Sequence, residues 1–564
     1  MNTKIRITQY ALIIWVLLIF ARLVYWQVIK ASELSSQADR QYRASDTIPA
    51  PRGEILASDS FPLASNEQTY NLIVDRRQIQ NDPVSAEKLF RNLPSTASAK
   101  KILNNDQVKG DWLTIARNLS QKQYEQIKNL KLPGIGFDME LKRLYPEGSP
   151  SAYLTGFVGY DELGDSQGYF GLEGQYDRTL KGKSGKRYLQ KDASGNPILI
   201  ESQEIIPSQP GSSLHTSIDR TVQYLAAQKL AEGLQKYQAV SGTVSIMESR
   251  TGKILAMVSL PGYDPDNFTQ YDTSQYKNPI VSESYEPGST FKTIVMASAL
   301  DAGVVTPETI CTTCTGPVTI GDATVGSWNS QYYPGSNMRE VILHSDNVGM
   351  VFVSRKLGKT RMLDYFRKFG LGKPTGVDLQ EESSPDLRPD ADWYDIDWAT
   401  AAFGQGIALT RIQMLTAVNA LANNGMLINP RIVTAVSRGK ELSEIPPQEP
   451  VRVIGNKAAS QITLMMVNGV NNGEVRYYKP SGFSIAGKTG TAQVPISGHY
   501  DKDKVIASFV GFAPAENPKF TMLVTLREPK SSPWGSTTAA PMWFDIAREL
   551  FRYYKILPAV STGL

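Results

Sequence analysis

The stretch YALIIWVLLIFARLVYWQVI, Tyr10 to Ile29, constrains this chain more than any other, because it is apolar except at Arg22 and Gln27. Twenty helical residues rise about 30 Å, the thickness of a bilayer's hydrocarbon core. A core helix of a soluble protein rarely runs so apolar on every face, and a cleaved signal peptide has a shorter apolar run and an early small-residue cleavage site. Here Tyr25 and Trp26 follow instead, as in an interfacial aromatic belt. The expectation is an uncleaved signal-anchor, with Arg22 reaching toward the outer interface. Lys4 and Arg6 precede the span and favour a cytoplasmic amino terminus, although Lys30 and Arg40 beyond it reduce the charge asymmetry. Residues after 30 are then extracytoplasmic.

At 564 residues the chain exceeds a single compact core, so two or more domains are expected. Its 59 basic and 55 acidic residues nearly balance, which implies no nucleic-acid partner. The two cysteines form one C-x-x-C, Cys311 to Cys314, and three histidines argue against a four-ligand zinc site. Two free thiols or one short disulfide remain as readings. After the anchor, ASELSSQADRQYRAS reads as a polar helical stalk, and residues 50 to 235 are rich in Gly, Pro and short alternating runs such as YNLIV. From Ser241 the texture changes. GTVSIMESRTGKILAMVS predicts a strand, a tight turn and a second strand; apolar helices follow near 290–302, 345–356 and 411–425, and VIASFVGFA and FTMLVTLRE read as late strands. Strands at both ends with helices between predict an α+β domain: an antiparallel sheet whose first and last strands pair, under helical layers.

The chemistry starts at EPGSTFKTIVMASAL, Glu286 to Leu300. Ser289 and Lys292 stand three residues apart, a spacing that puts two side chains about 5–6 Å apart on one helix face. A serine nucleophile needs such a base. The spacing alone is weak, since S-x-x-K recurs at Ser85, Ser98, Ser274 and Ser437. Pro287-Gly288 before Ser289, and the apolar run after it, set this copy apart. The competing reading of Ser289 is an N-cap, for which serine is favoured. Lys292 is what a cap does not need: buried beside another cation, it would lose proton affinity and act as a base. That second cation is on offer in SIAGKTGTAQVP, where Lys488-Thr489-Gly490-Thr491 continues a small-residue strand. Such a strand can pair with an extended peptide while Lys488, Thr489 and Thr491 grip a terminal carboxylate, and Gly490 would let substrate come close. In LHSDNVGMVFV, Ser345 is a candidate proton relay, and the Asn347 amide can bond both Lys292 and a substrate peptide group. A triad of His344, Ser345 and Asp346 is disfavoured, since adjacent residues do not point at one another.

The S-x-x-K, S-D-N and K-T-G elements, in that order, are the set shared by penicillin-binding proteins and class A β-lactamases. The chain resembles a class B penicillin-binding protein, a membrane-anchored peptidoglycan D,D-transpeptidase, nearly from end to end. PRGEILASD (Pro51–Asp59), RLYPEG (Arg143–Gly148) and GLEGQYDRTLKGKSG (Gly171–Gly185) resemble the family's pedestal, and TSIDRTVQ, FGQGIALT and GFAPAENP resemble signatures around its catalytic domain. Arg411 after Thr410, where the family usually has proline, and the CTTC run depart from the pattern. The resemblance implies a tail over 1–7, a transmembrane signal-anchor over 8–29, a dimerisation-like pedestal over 30–235 and a transpeptidase domain over 236–558. It further implies acyl transfer through Ser289 without metal or cofactor, an oxyanion hole from the Ser289 and Thr491 N–H groups, and acylation by β-lactams. The implied partners are stem peptides, a polytopic glycan polymerase of the shape-elongation-division class and other division proteins. The septal, cell-division branch is the nearest likeness, with an elongation-type enzyme as alternative. A serine β-lactamase would not need residues 30–235 or an anchor, and an inactive scaffold would not need three intact motifs.

Overall fold

The computed structural model describes residues 2–35, 43–103, 112–162, 165–191, 197–198, 205–496 and 499–558. One helix among them, Thr3–Ile29, is long and apolar enough to cross a membrane, and none of it is buried within the protein. Residues 31–35 are helical and 36–42 lie outside the described residues, but Arg43–Ile48 form a strand rather than the end of a helical stalk. Antiparallel pairing with Gly185–Lys191 supplies the backbone partners that a polar helix would have had to provide internally.

Two compact units divide the chain. The first comprises Met1–Arg52, Tyr70–Leu141 and Lys181–Gly211; the second comprises Gly53–Thr69, Lys142–Leu180 and Ser212–Leu564. The expected cut at residue 235 is therefore not where the compact units part: PRGEILASD from Gly53 onward, RLYPEG and GLEGQYDRTL belong with the second unit. A buried ion pair shows why. Arg143 Nε donates to Glu173 Oε1 at 2.7 Å, with side-chain exposures of 6% and 0%, and Arg143 Nη1 donates to Asn66 Oδ1 at 3.1 Å. Residues far apart in sequence are thus held in one core. In the first unit, Leu72, Val74, Leu113, Leu119 and Ile127 form a separate small core on the paired strands Tyr70–Asp75 and Trp112–Leu119.

The second unit is built on a five-stranded antiparallel sheet in the order Ile254–Leu260, Ser241–Glu248, Phe520–Arg527, His499–Ala513, Ala486–Ile496. The first strand of the domain pairs with its last, Val244 opposite Val524, as expected. The inner strands Ser241–Glu248 and Phe520–Arg527 are buried along nearly their whole length, because both faces are covered. Successive residues go to opposite sides. Phe509 and Val524 share one core with Trp543, Phe544 and Leu550 of the helix Ala539–Tyr553 and with Val222 and Leu230 of Arg220–Tyr237, while Val510 and Leu523 belong to a second core with Ile294, Met350, Leu415 and Met465 of four other helices. Those four are Lys292–Asp301, Asn347–Leu357, Arg411–Ala422 and Asn456–Asn472.

Arg411, in place of the family's usual proline, is the first residue of its helix, and Thr410 caps that helix with Gln413. Its buried guanidinium donates to Pro279 O at 2.8 Å and Thr525 Oγ1 at 3.2 Å and lies 5.2 Å from the Tyr285 ring centroid. It ties that helix to the segment leading into the nucleophile turn. Cys311 and Cys314 are joined as a disulfide, and Cys311 N donates to Ser336 O at 2.8 Å.

Candidate active site

Ser289 sits in a single 3₁₀ turn, Gly288–Phe291, and the α-helix proper begins at Lys292. The serine caps neither element: Pro287 and Phe291 hold the cap positions, without a side-chain bond at either. The capping alternative for Ser289 therefore falls away. The turn is shaped by Gly288 at φ +57°, whose N–H donates to Gly404 O at 3.1 Å. Gly404, within FGQGIALT, has φ +81°, and a Cβ there would lie 2.1 Å from Gly288 O. Both positions require glycine, one for the turn and the other for its close approach.

Lys292 is completely buried, and its ammonium does not spend itself on Ser289. Nζ donates to Ser345 O at 2.5 Å, Asn347 Oδ1 at 2.7 Å and Ser345 Oγ at 3.2 Å. Ser345 adopts φ +54°, uncommon outside glycine, between the short helix Met338–Leu343 and the helix Asn347–Leu357 that Asp346 caps. That bend places Ser345 carbonyl and hydroxyl on the same lysine. Lys488, 6% exposed, reaches the other side of the hydroxyl, with Nζ to Ser345 Oγ 2.9 Å and to Thr489 O 3.2 Å. One serine oxygen thus accepts from two lysines, which leaves its own proton free to point elsewhere. Asn347 sends Nδ2 to Gly326 O at 3.2 Å, so one amide hydrogen remains for any other partner.

Burial above all, and then the Lys488 charge, push the Lys292 pKa well below its ordinary value, against the opposing pull of Asp346. Burial lowers Lys488 to about 8, with Glu474 acting in the opposite direction. A charged Lys488 beside Lys292 in a dry site weakens the hold of Lys292 on its proton, the condition a lysine base requires.

The strand Ala486–Ile496 is the edge of the sheet and carries Lys488, Thr489, Gly490 and Thr491 past the turn. Thr491 Oγ1 accepts from Gly535 N at 3.0 Å. Gly490 has a different reason from the expected one. A Cβ there would point away from open space, 2.5 Å from Ser508 Oγ, 2.8 Å from Thr290 Cγ2 and 3.0 Å from Pro287 O. Glycine lets the strand press against the nucleophile turn rather than admit substrate. Ser289, Ser345, Lys488, Thr489, Gly490 and Thr491 all line one cleft of about 380 Å³, with Lys292 and Asn347 behind Ser345. Sequence reasoning did not single out Trp328 and Trp534, whose rings meet edge to face across 5.1 Å in this lining, nor Glu474. They stand in polar loops with no motif, and only their convergence marks them. His344 stacks on Tyr333 instead of joining a triad.

A buried lysine pair sharing a serine hydroxyl, behind a turn-mounted serine and beside an edge strand, defines a serine acyltransferase of the penicillin-recognising kind. Residues 242–552 match the model of the penicillin binding protein transpeptidase domain and residues 47–216 that of the penicillin-binding protein dimerisation domain. The chain belongs to the class B penicillin-binding proteins, and its amino-terminal apolar helix makes it a membrane-anchored member. It is 32% identical over 549 residues to stage V sporulation protein D of Bacillus subtilis, covering 94% of this chain and 83% of the relative. It is 29% identical over 555 residues to peptidoglycan D,D-transpeptidase FtsI of Escherichia coli, covering 97% and 91%. The fold is also that of penicillin binding protein 2X from Streptococcus thermophilus, with TM-score 0.77 at 22% identity over 90% of this chain and 80% of that one.

Proposed function

We propose that this chain is a septal-type peptidoglycan D,D-transpeptidase, with Ser289 as nucleophile, Lys292 as base and an acyl-enzyme as intermediate. The observation that carries the reading is the Ser345 hydroxyl accepting from both Lys292 and Lys488 in the cleft that Ser289 also lines. In the first step Ser289 Oγ attacks the carbonyl of the penultimate D-Ala of a stem peptide, and its proton passes to Lys292. The Ser289 and Thr491 N–H groups receive the oxyanion, at about 3 kcal/mol per donor. Lys488 and Ser345 return a proton to the departing D-Ala amine, while Thr489 and Thr491 hold its carboxylate. Gly490 serves by letting this strand lie close to the turn, and Asn347 orients Lys292 and a substrate amide. An amine from a neighbouring stem then resolves the ester and closes the cross-link. β-Lactams present the same carbonyl and would acylate Ser289.

Residues 1–7 are assigned to the cytoplasm, 8–29 to the membrane and the remainder to the extracytoplasmic side, with 30–235 as pedestal and 236–558 as the catalytic domain. A polytopic glycan polymerase and other division proteins are the proposed partners. Likeness to FtsI supports the septal branch over an elongation role.

Labelling with fluorescent penicillin tests the reading. A stable adduct that Ser289→Ala abolishes is expected. Rapid spontaneous release of the label would favour a β-lactamase, and no Ser289-dependent label would favour a scaffold.

A further inference from the structure

The charges lining the active cleft are unequally answered. Lys292 and Lys488 stand in or behind its wall, and Glu474 is the single carboxylate among the described residues that line it. Glu474 follows the helix Asn456–Asn472, is exposed to solvent, and forms no ion pair with any cation among the described residues. Arg476, two residues on and also in the lining, is committed elsewhere: its guanidinium lies 4.4 Å from the Tyr477 ring centroid, bonds the Tyr477 hydroxyl and donates to Asn472 O at 3.4 Å. The field of Glu474 is felt at Lys488, on which it acts to hold the proton.

The position of Glu474 relative to the reaction follows from the proton donors. On the transpeptidase reading the reacting carbonyl lies between Ser289 and the Thr491 N–H, and the departing amine lies beside Ser345 and Lys488, which protonate it. The leaving amine thus departs beside Lys488, the lysine that feels Glu474. An incoming amine must enter where the outgoing amine departs, because the two half-reactions are chemical reversals of each other. In water that amine is an ammonium, and it has to approach a wall that already carries two lysines.

We propose that Glu474 is the docking carboxylate for the acceptor, holding the ammonium of the second stem peptide at the cleft mouth and selecting an amine-bearing side chain. This rests on the transpeptidase reading. The ammonium releases one proton to solvent. Its nitrogen then forms a bond to the ester carbonyl as the Ser289 Oγ–carbonyl bond breaks, and the amine's second proton passes to Ser289 Oγ. Glu474 touches only the arriving group, which makes it a positioning residue for the acceptor.

The test uses the full-length chain in detergent micelles with an acyl-D-alanyl thioester donor and two nucleophiles. One is Nα-acetyl-lysinamide, cationic at neutral pH, and the other is hydroxylamine, uncharged there. For Glu474→Gln the expected result at low salt is an acceptor KM raised about 3- to 5-fold for the lysine compound, the size of one exposed ion pair. The hydroxylamine KM moves by less than half of that, Glu474→Asp falls between, and the gap closes at high salt. Discrimination is a ratio within one variant, so a reduced folded fraction cancels. Equal changes for both nucleophiles, or a gap insensitive to salt, would overturn the proposal. Slower release of a penicilloyl adduct in Glu474→Gln would also overturn it, assigning Glu474 to water activation instead. A wild-type chain that takes no label at Ser289 refutes the transpeptidase reading itself. A labelled, amide-forming chain without altered discrimination in Glu474→Gln refutes the docking role alone.

Discussion

Replacing Lys488 by methionine should move the pH dependence of Ser289 acylation, and the size of the movement follows from one shared atom. Lys292 Nζ and Lys488 Nζ lie 3.2 Å and 2.9 Å from the same Ser345 Oγ, so the two nitrogens are at most about 6 Å apart. Two unit charges at about 6 Å with an effective dielectric of about 20 repel by about 3 kcal/mol, equivalent to about two pH units. The sign follows from the chemistry of the base. Lys292 accepts a proton only when neutral, and a neighbouring cation favours its neutral form. Removing that cation raises the Lys292 pKa, so the acidic limb of the acylation profile should shift upward by about two units in Lys488→Met. On that acidic limb, where Lys292 is protonated in both chains, the variant loses about 100-fold from this cause, in addition to the loss of the proton that Lys488 supplies. Since Lys488 itself titrates at about 8, the wild-type chain loses the repulsion above that pH, and the two profiles should run parallel there. The assay is the second-order rate constant for acylation by a fluorescent penicillin from pH 5 to 10. Lys488→Arg, which keeps the charge, should leave the limb near its wild-type position. A limb unmoved in Lys488→Met, or a wild-type rate flat from mildly acidic to alkaline pH, would refute the reasoning and remove Lys292 as the base.

Two further outcomes follow from packing. Gly490→Ala forces a Cβ to within 2.5 Å of Ser508 Oγ and 2.8 Å of Thr290 Cγ2, and should cost about 1–3 kcal/mol and misplace the nucleophile turn. Thermal unfolding and penicillin labelling would both record it, and adding Ser508→Ala should restore part of each, because that buried hydroxyl has no partner to lose. Glu173→Gln strands the buried Arg143 charge and should destabilise the unit by about 3–5 kcal/mol in urea titration, whereas replacing both partners by apolar residues of similar size should cost far less.

How much of this was legible in the sequence differs by element. The antiparallel pairing of Ser241–Glu248 with Phe520–Arg527 was expected because strand texture at both ends of a domain leaves few other closures. Disulfide formation between Cys311 and Cys314 was one of two open readings, since a C-x-x-C spacing permits both. Gly490 was placed on the right strand but for the wrong reason: glycine in a strand says that something comes close, not which side it comes from.

By itself the sequence determined the membrane-length helix, the three ordered motifs and the local i, i+3 placement of Ser289 and Lys292, all of which follow from composition or from the geometry of neighbouring residues. Only the tertiary structure decided what Lys292 holds. Its partners Ser345 and Asn347 are 53 and 55 positions away, Lys488 is 143 from the serine they share, and no helical or strand period relates residues so far apart. The same holds for Arg143 with Glu173, which bind pedestal-like motifs into the unit that bears the cleft, and for Trp328 with Trp534. Short-range spacing sets which side chains share a face, whereas burial and the convergence of distant segments set which charges lose their water, and the proposed chemistry depends on the latter.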